Sequence, residues 1–462
     1  SILLIKHGTL QIGGKRREIR LFFDPVSDSF KLERRKNEHA NKPTWFKVSD
    51  ILSTEDVDEL IESKKEQTKA SLGVSEKFLR KGLTQLLTRI KTFEITFIKA
   101  KMEASQEDDL ITIFDRISEI FVTLNDKGTK VKLHDLALAL LTGKAVATIG
   151  SSFRREFTNV SNSLSKTGFD IPETVLMRTY LAVATNSIKF SEAKRKLYEI
   201  PPEHSFNHLR NTEKALSKTI TVFGEYGIKI SKYLQSRYLP VIPAVFLYKE
   251  YLQQDKVIPQ TVKKDLIKWL ILASFIKRYT GRLESDLYED MKALEEGRGL
   301  YGLFKNLPRT SISFEELKGE YENMHITLLK VLYSQNNTHD WNVLLGDNES
   351  KPITELTSKE LTIHHIFPQD YLEDQGYGGE ESPDDFANIT IVSSKVNDHI
   401  HENPPHRYLN ELLKKDPELL KQHFIPQNPE LWNVNRYEEF LEKRREMIAT
   451  AVKDILSLEV LK

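Results

Sequence analysis

The sequence contains no cysteine, and that one absence removes disulfide frameworks, thiolate zinc sites and cysteine nucleophiles together. Long apolar runs are missing as well. The stretch from Trp269 to Ile276, interrupted by Ser274, is far shorter than the roughly 20 residues that span a bilayer. An excess of one charge is also lacking: 67 basic and 67 acidic residues cancel to a formal net charge of zero. That balance argues against a histone-like protein held to nucleic acid by bulk charge, while leaving room for a local basic groove. The first residues, Ser1-Ile-Leu-Leu-Ile-Lys-His7, carry neither the apolar run nor the cleavage site of a signal peptide. A cytoplasmic location and no membrane partner are therefore expected.

What is present is the material of a charge-dressed globular protein. The 462 residues suggest two or three domains at about 150 residues each. Hydrophobic residues at 39% and aromatics spread along the chain are enough to bury sizeable cores, which excludes low-complexity disorder.

Ser1 to Leu10, a Gly13-Gly14 turn and Glu18 to Phe23 read as a hairpin that stops at Asp24-Pro25. A chain that opens on a strand is expected to begin inside a domain. Structure restarts from Trp45 to Leu52, and the charge pattern makes residues 55–69 and 75–91 helical. Residues 94–98 read as a further strand. A helical period then runs from Asp109 to Leu141, broken by a turn at Asn125-Asp-Lys-Gly128. From Phe153 to Leu332 apolar residues recur at three- and four-residue steps over 173–184, 211–223, 241–252, 262–279 and 314–333. These stripes are core-facing, and they define a helical domain. After Asn336 two short strands follow, Leu361-Thr-Ile-His-His-Ile-Phe-Pro368 and Phe386-Ala-Asn-Ile-Thr-Ile-Val-Ser-Ser394. A short helix or turn then leads to Pro404-Pro405, and residues 435–456 form an amphipathic helix.

The expected fold class is α+β, predominantly α-helical. The expected division is a partial N-terminal α/β sensor-like domain over 1–145, a helical connector over 146–335 and a C-terminal domain over 336–462.

The chemistry concentrates in His364-His365-Ile-Phe-Pro-Gln369, Asn388 and Asn397. Adjacent histidines on a strand point to opposite faces unless the strand bends. A second antiparallel strand brings Asn388 alongside, and the helix after it presents Asn397, so a hairpin capped by a helix would gather imidazoles and carboxamides. Such groups suit phosphodiester cleavage. A neutral imidazole can deprotonate water near pH 7, and a divalent cation held by another imidazole and an amide oxygen can neutralise charge developing on phosphate.

These phrases resemble the HNH (His-Me finger, ββα-metal) nuclease motif, in the variant found at the C-terminus of GmrSD-type modification-dependent restriction nucleases (SspE-like). The resemblance implies His365 as general base and His364 as metal ligand where Asp or Glu is common. It likewise implies Asn397 as second ligand and Asn388 as the central structural asparagine. Upstream, Ile117 to Leu141 and Leu21-Phe-Phe-Asp-Pro25 with Trp45 to Leu52 are similar to the N-terminal domain of the same proteins. That family's Asp-Gly-Gln-Gln-Arg phrase, tied to nucleotide handling, is absent. The implied cofactor is a divalent metal ion, Mg²⁺ or Mn²⁺, with Ni²⁺ or Zn²⁺ as alternatives. The histidine in place of a carboxylate tilts the choice away from Mg²⁺. The implied partner is DNA, including modified DNA, and the implied activity is metal-dependent cleavage or nicking in defence against phage or other foreign DNA.

Other groups carry weaker signals. His399, His401 and His406 crowd the same region and read best as a solvated helix. The loop from Tyr371 to Asp385 holds six acids and no base; it reads as a solvated loop, or as a lid that repels phosphate. Lys15-Arg16-Arg17, Arg34-Arg35-Lys36, Arg154-Arg155 and Arg444-Arg445 are candidate phosphate contacts. Gly8 to Lys15 lacks P-loop spacing, and no G-x-S-x-G phrase supports serine catalysis. The rival class is a non-catalytic modified-DNA-binding sensor that keeps an HNH scaffold.

Overall fold

The computed structural model describes residues 9–12, 15–18, 20–33, 39–54, 56–68, 74–91, 133–150, 152–347, 350–401 and 403–456. The strand expected at 94–98, the helix and turn expected over 109–132, and the basic cluster at 34–36 lie outside them. The chain divides into two compact units, Ser1–Ala104 and Ser105–Lys462.

In the first unit β1 (Thr9–Ile12) and β2 (Lys15–Glu18) form an antiparallel hairpin with Thr9 opposite Glu18. The sequence places the second arm of this hairpin at Glu18 to Phe23. Instead, Leu21–Asp24 (β3) belongs to a second hairpin with Ser29–Leu32 (β4). The cause is local: the Asp24 carboxylate accepts from Val26 N (3.1 Å) and Ser27 Oγ (2.7 Å), which folds Pro25 to Asp28 into a turn rather than an exit. Phe46–Lys47 (β5) pairs on the other edge of β3. Helices α1 (Val48–Ser53), α2 (Val57–Thr68) and α3 (Glu76–Lys91) bury Ile51, Ile61, Leu79, Leu83 and Leu86 with Phe23 and Phe46.

The second unit opens with helices α4 (Leu133–Ile149), α5 (Phe153–Ser165), α6 (Glu173–Thr185), α7 (Phe190–Glu199) and α8 (Pro202–Glu225). Next come α9 (Val241–Glu250), α10 (Gln260–Phe275), α11 (Leu283–Glu295), α12 (Gly299–Lys305) and α13 (Asn323–Gln335). The expected helix over 314–333 is not continuous. Gly319 takes φ +78° with open space around it, a conformation that glycine adopts without strain. Helix α13 restarts only after Glu322, whose backbone N–H donates to His325 Nδ1 (2.9 Å).

The C-terminal part follows as β6 (Leu361–His365), α14 (Gln369–Asp374), β7 (Ile389–Ser393) and α15 (Ser394–Ile400). It ends in α16 (Pro405–Lys415), α17 (Pro417–Gln422) and α18 (Tyr437–Leu456). The fold is thus α+β and predominantly α-helical. Among the described residues no helix is long and apolar enough to cross a membrane.

All five residues of β7 are buried, and period-2 alternation splits them between two cores. Ile389 and Ile391 join the helical core built by α4 to α13. Val392 faces a second core with Trp341, Phe367, Tyr408, Leu409 and Phe440. The hairpin that carries the histidines is therefore a shared wall between the helical body and the C-terminal elements.

Candidate active site

Strands β6 and β7 pair antiparallel with His364 opposite Thr390 and His365 opposite Ile389. The two histidines face opposite ways, as the pleat dictates, and the four expected site residues fall into three hydrogen-bonded sets.

The first set is on the second-core face. His364 is buried (3% exposed) against the rings of Trp341 and Tyr408. Its Nδ1 lies 2.9 Å from Asn397 Oδ1, one turn into α15, and its Nε2 lies 3.4 Å from the Tyr408 hydroxyl. That hydroxyl donates its only hydrogen to Ile366 O (2.5 Å), so toward His364 it can only accept. With the ring proton on Nδ1, that nitrogen donates to Asn397 Oδ1; with the proton on Nε2, toward Tyr408, Nδ1 keeps a lone pair. Burial lowers the His364 pKa to about 4, opposed by Asn397 Oδ1, which accepts from the protonated ring, and the imidazole is neutral near pH 7.

In the Nε2–H tautomer, Nδ1 and Asn397 Oδ1 offer two lone pairs 2.9 Å apart in place of that hydrogen bond. Adjacent ligands of an octahedral cation with bonds of about 2.1 Å are separated by about 3.0 Å, so this donor pair fits a divalent cation. Among the described residues no cluster of three or more His, Asp or Glu side chains adds to it.

Asn388 forms the second set. It is fully buried; its Oδ1 accepts from Phe367 N (2.8 Å), and its Nδ2 donates to Phe367 O (2.9 Å) and Pro383 O (2.8 Å). With Ile366 N donating to Asn388 O (2.8 Å), this residue ties both ends of the loop between β6 and β7. Its amide has no bond left to offer a ligand's carbonyl-like groups, so its part is architectural.

His365 is the third. Its side chain keeps 31% exposure at the loop end of the hairpin, and its Nε2 lies 2.7 Å from Asp384 Oδ1. Sequence reasoning missed Asp384, which it grouped with the other acids of a solvated loop. The available signal was Asp384-Asp385 standing just ahead of the buried Asn388.

Two further expectations change. Arg444 and Arg445 are 0% and 1% exposed, and neither reaches solvent to meet phosphate. Arg444 donates to Ala387 O (2.7 Å) and Ile389 O (2.8 Å). Arg445 grips Asp385 (2.6 Å) and Glu381 (3.1 Å). The acidic loop is accordingly fastened at its C-terminal end rather than freely solvated. Arg154 and Arg155 remain exposed, as do His399 and His401, whereas His406 is half-buried.

A buried polar chain supports this wall. His423 must donate from Nε2 to His339 O (2.8 Å), so its Nδ1 accepts from Thr390 (2.8 Å), which in turn accepts from Tyr333 (2.8 Å). Burial drives the His423 pKa down to about 3. The unfolded chain, with an ordinary histidine pKa of about 6.5, binds a proton that the native state refuses below that pH. This contribution is complete above pH 6.5 and is lost as pH falls toward 3, so stability at pH 5 should be about 2 kcal/mol lower than at pH 7.5 from this group. Urea midpoints at the two pH values check it; equal midpoints would mean that His423 stays protonated inside the fold.

No curated protein matches the chain. Residues 313–451, which include every side chain of the candidate site, match the family model described as GmrSD restriction endonucleases, C-terminal domain.

Proposed function

We propose that the chain is a metal-dependent DNA endonuclease of the HNH type, nicking or cleaving phosphodiesters in defence against phage or modified foreign DNA. The observation that carries this reading is the imidazole–carboxamide pair, the buried His364 Nδ1 on β6 and Asn397 Oδ1 on α15 at 2.9 Å, beside the partly exposed His365 of the same strand. The matched family's description supplies the substrate class.

In this mechanism His365 removes a proton from water as its oxygen attacks phosphorus, and the 3′ oxygen leaves in line. A divalent cation bound at His364 and Asn397 would neutralise charge on the phosphate and the departing oxygen. Burial keeps the His364 imidazole neutral, and the Tyr408 hydroxyl can accept from Nε2–H when Nδ1 turns its lone pair to a cation. Asn388 keeps the loop between the strands closed, so that His365 stays at its mouth.

Supercoiled-plasmid nicking, assayed with EDTA and then with added metals, tests the reading. EDTA is expected to stop cleavage. His364→Ala and Asn397→Ala are expected to lower it by about 10-fold to 100-fold at fixed metal, with partial recovery at high metal. Mn²⁺ should outperform Mg²⁺, since the site lacks a protein carboxylate. Cleavage unaffected by EDTA would remove the metal from the mechanism, and DNA binding without cleavage would favour the sensor reading.

A further inference from the structure

The contact between His365 and Asp384 looks at first like a surface ion pair, with side chains 31% and 51% exposed. Pairs of that kind contribute little to stability. Its backbone setting is different. Pro383 O accepts from the buried Asn388 amide (2.8 Å), Asp384 O accepts from Tyr321 N (3.0 Å), and Asp384 N donates to Ser382 Oγ (3.2 Å). The next residue, Asp385, is fully buried; it accepts from Arg445 (2.6 Å) and from Gly319 N (2.9 Å), while Phe386 N donates back to Gly319 O (2.9 Å). The peptides on both sides of Asp384 are thus held by the buried Arg445 of α18, by the buried Asn388 and by the partly buried segment before α13. A fixed backbone presents this carboxylate to one ring nitrogen.

Resting on the nuclease reading above, we propose that Asp384 is a positioning residue for His365. A carboxylate only accepts, so its contact at 2.7 Å puts the ring proton on Nε2 and leaves the Nδ1 lone pair. Among the described residues, nothing else hydrogen-bonds this ring. Asp384 therefore selects the tautomer and orientation in which Nδ1 takes the proton from water. The segment from Gly319 to Tyr321, which closes off the helical body, supplies part of the clamp and gives that body a direct hold on the ring's partner.

The test uses the full chain, supercoiled plasmid and Mn²⁺. Asp384→Ala should lower kcat by about 100-fold, with KM changed by no more than about twofold. Asp384→Asn should be as poor as alanine, because its amide can donate to Nε2 and favour the wrong tautomer, whereas Asp384→Glu should recover at least about a tenth of the wild-type rate. In a His365→Ala background, Asp384→Ala should have no further effect, since it acts only through the ring. Nitrogen-15 histidine spectra, assigned with His365→Ala, should show the Nε2–H tautomer in wild type and its loss in Asp384→Asn.

An Asp384→Ala enzyme as fast as wild type, an effect confined to KM, additivity with His365→Ala, or an Nδ1–H tautomer in wild type each overturns the inference. Nicking by His365→Ala at the wild-type rate would instead overturn the nuclease reading. The two failures are distinguishable.

Discussion

Replacing His365 by alanine should reduce plasmid nicking by about 10²- to 10⁴-fold, the range that a positioned general base contributes. The same change should leave stability within about 1 kcal/mol, because the ring is partly exposed and its one ion pair is of the weak surface kind. Few substitutions separate activity from folding so cleanly. His364→Ala would vacate a site packed against Trp341 and Tyr408, and it would mix metal loss with core damage. Single-turnover nicking and a urea titration on the same preparation decide the matter. A variant that folds and nicks normally would exclude His365 as the base.

The second large effect falls on stability. Arg445→Ala should cost about 3–5 kcal/mol, the penalty for leaving a buried charge without its partner. Asp385 is wholly buried, burial already pushes its carboxyl pKa upward, and Arg445 is its compensating cation. Lysine should rescue poorly, since Arg445 reaches Asp385, Glu381 and Glu442 through a planar fork that an ammonium cannot reproduce. The denaturant midpoint measures the loss directly, and a cost below about 1 kcal/mol would show that the loop relaxes to hydrate Asp385.

Much of the hairpin and of the candidate site could be read from the amino acids. Short β-branched runs around His364-His365 and after Asn388 marked the strands, and the nine-residue step from Asn388 to Asn397 reaches from the turn just before β7 into α15. Helical periodicity placed α6, α9 and α10 within a few residues of where they fold. What escaped was long-range. Local pattern treats Arg444-Arg445 and Asp384-Asp385 as surface charge, because the partners that bury them are distant in the sequence and only Glu442 pairs with Arg445 nearby. Their partners lie about sixty positions away, at Asp385 and Glu381 for Arg445, and nineteen away at His365 for Asp384. The break at Gly319 escaped for another reason. The flanking stripe keeps its helical period, and only the glycine's left-handed backbone, used to meet Asp385 and Phe386, interrupts it.

The strand β7, buried on both sides, has a consequence for how this protein can be divided. A tail produced from residue 336 onward would present Ile389 and Ile391 to water as a bare greasy edge, and would strip Asp385 of its Gly319 contact. The histidine-bearing hairpin is not a cassette that can be lifted out; it shares its foundations with the helices in front of it, and its solubility is on loan from them.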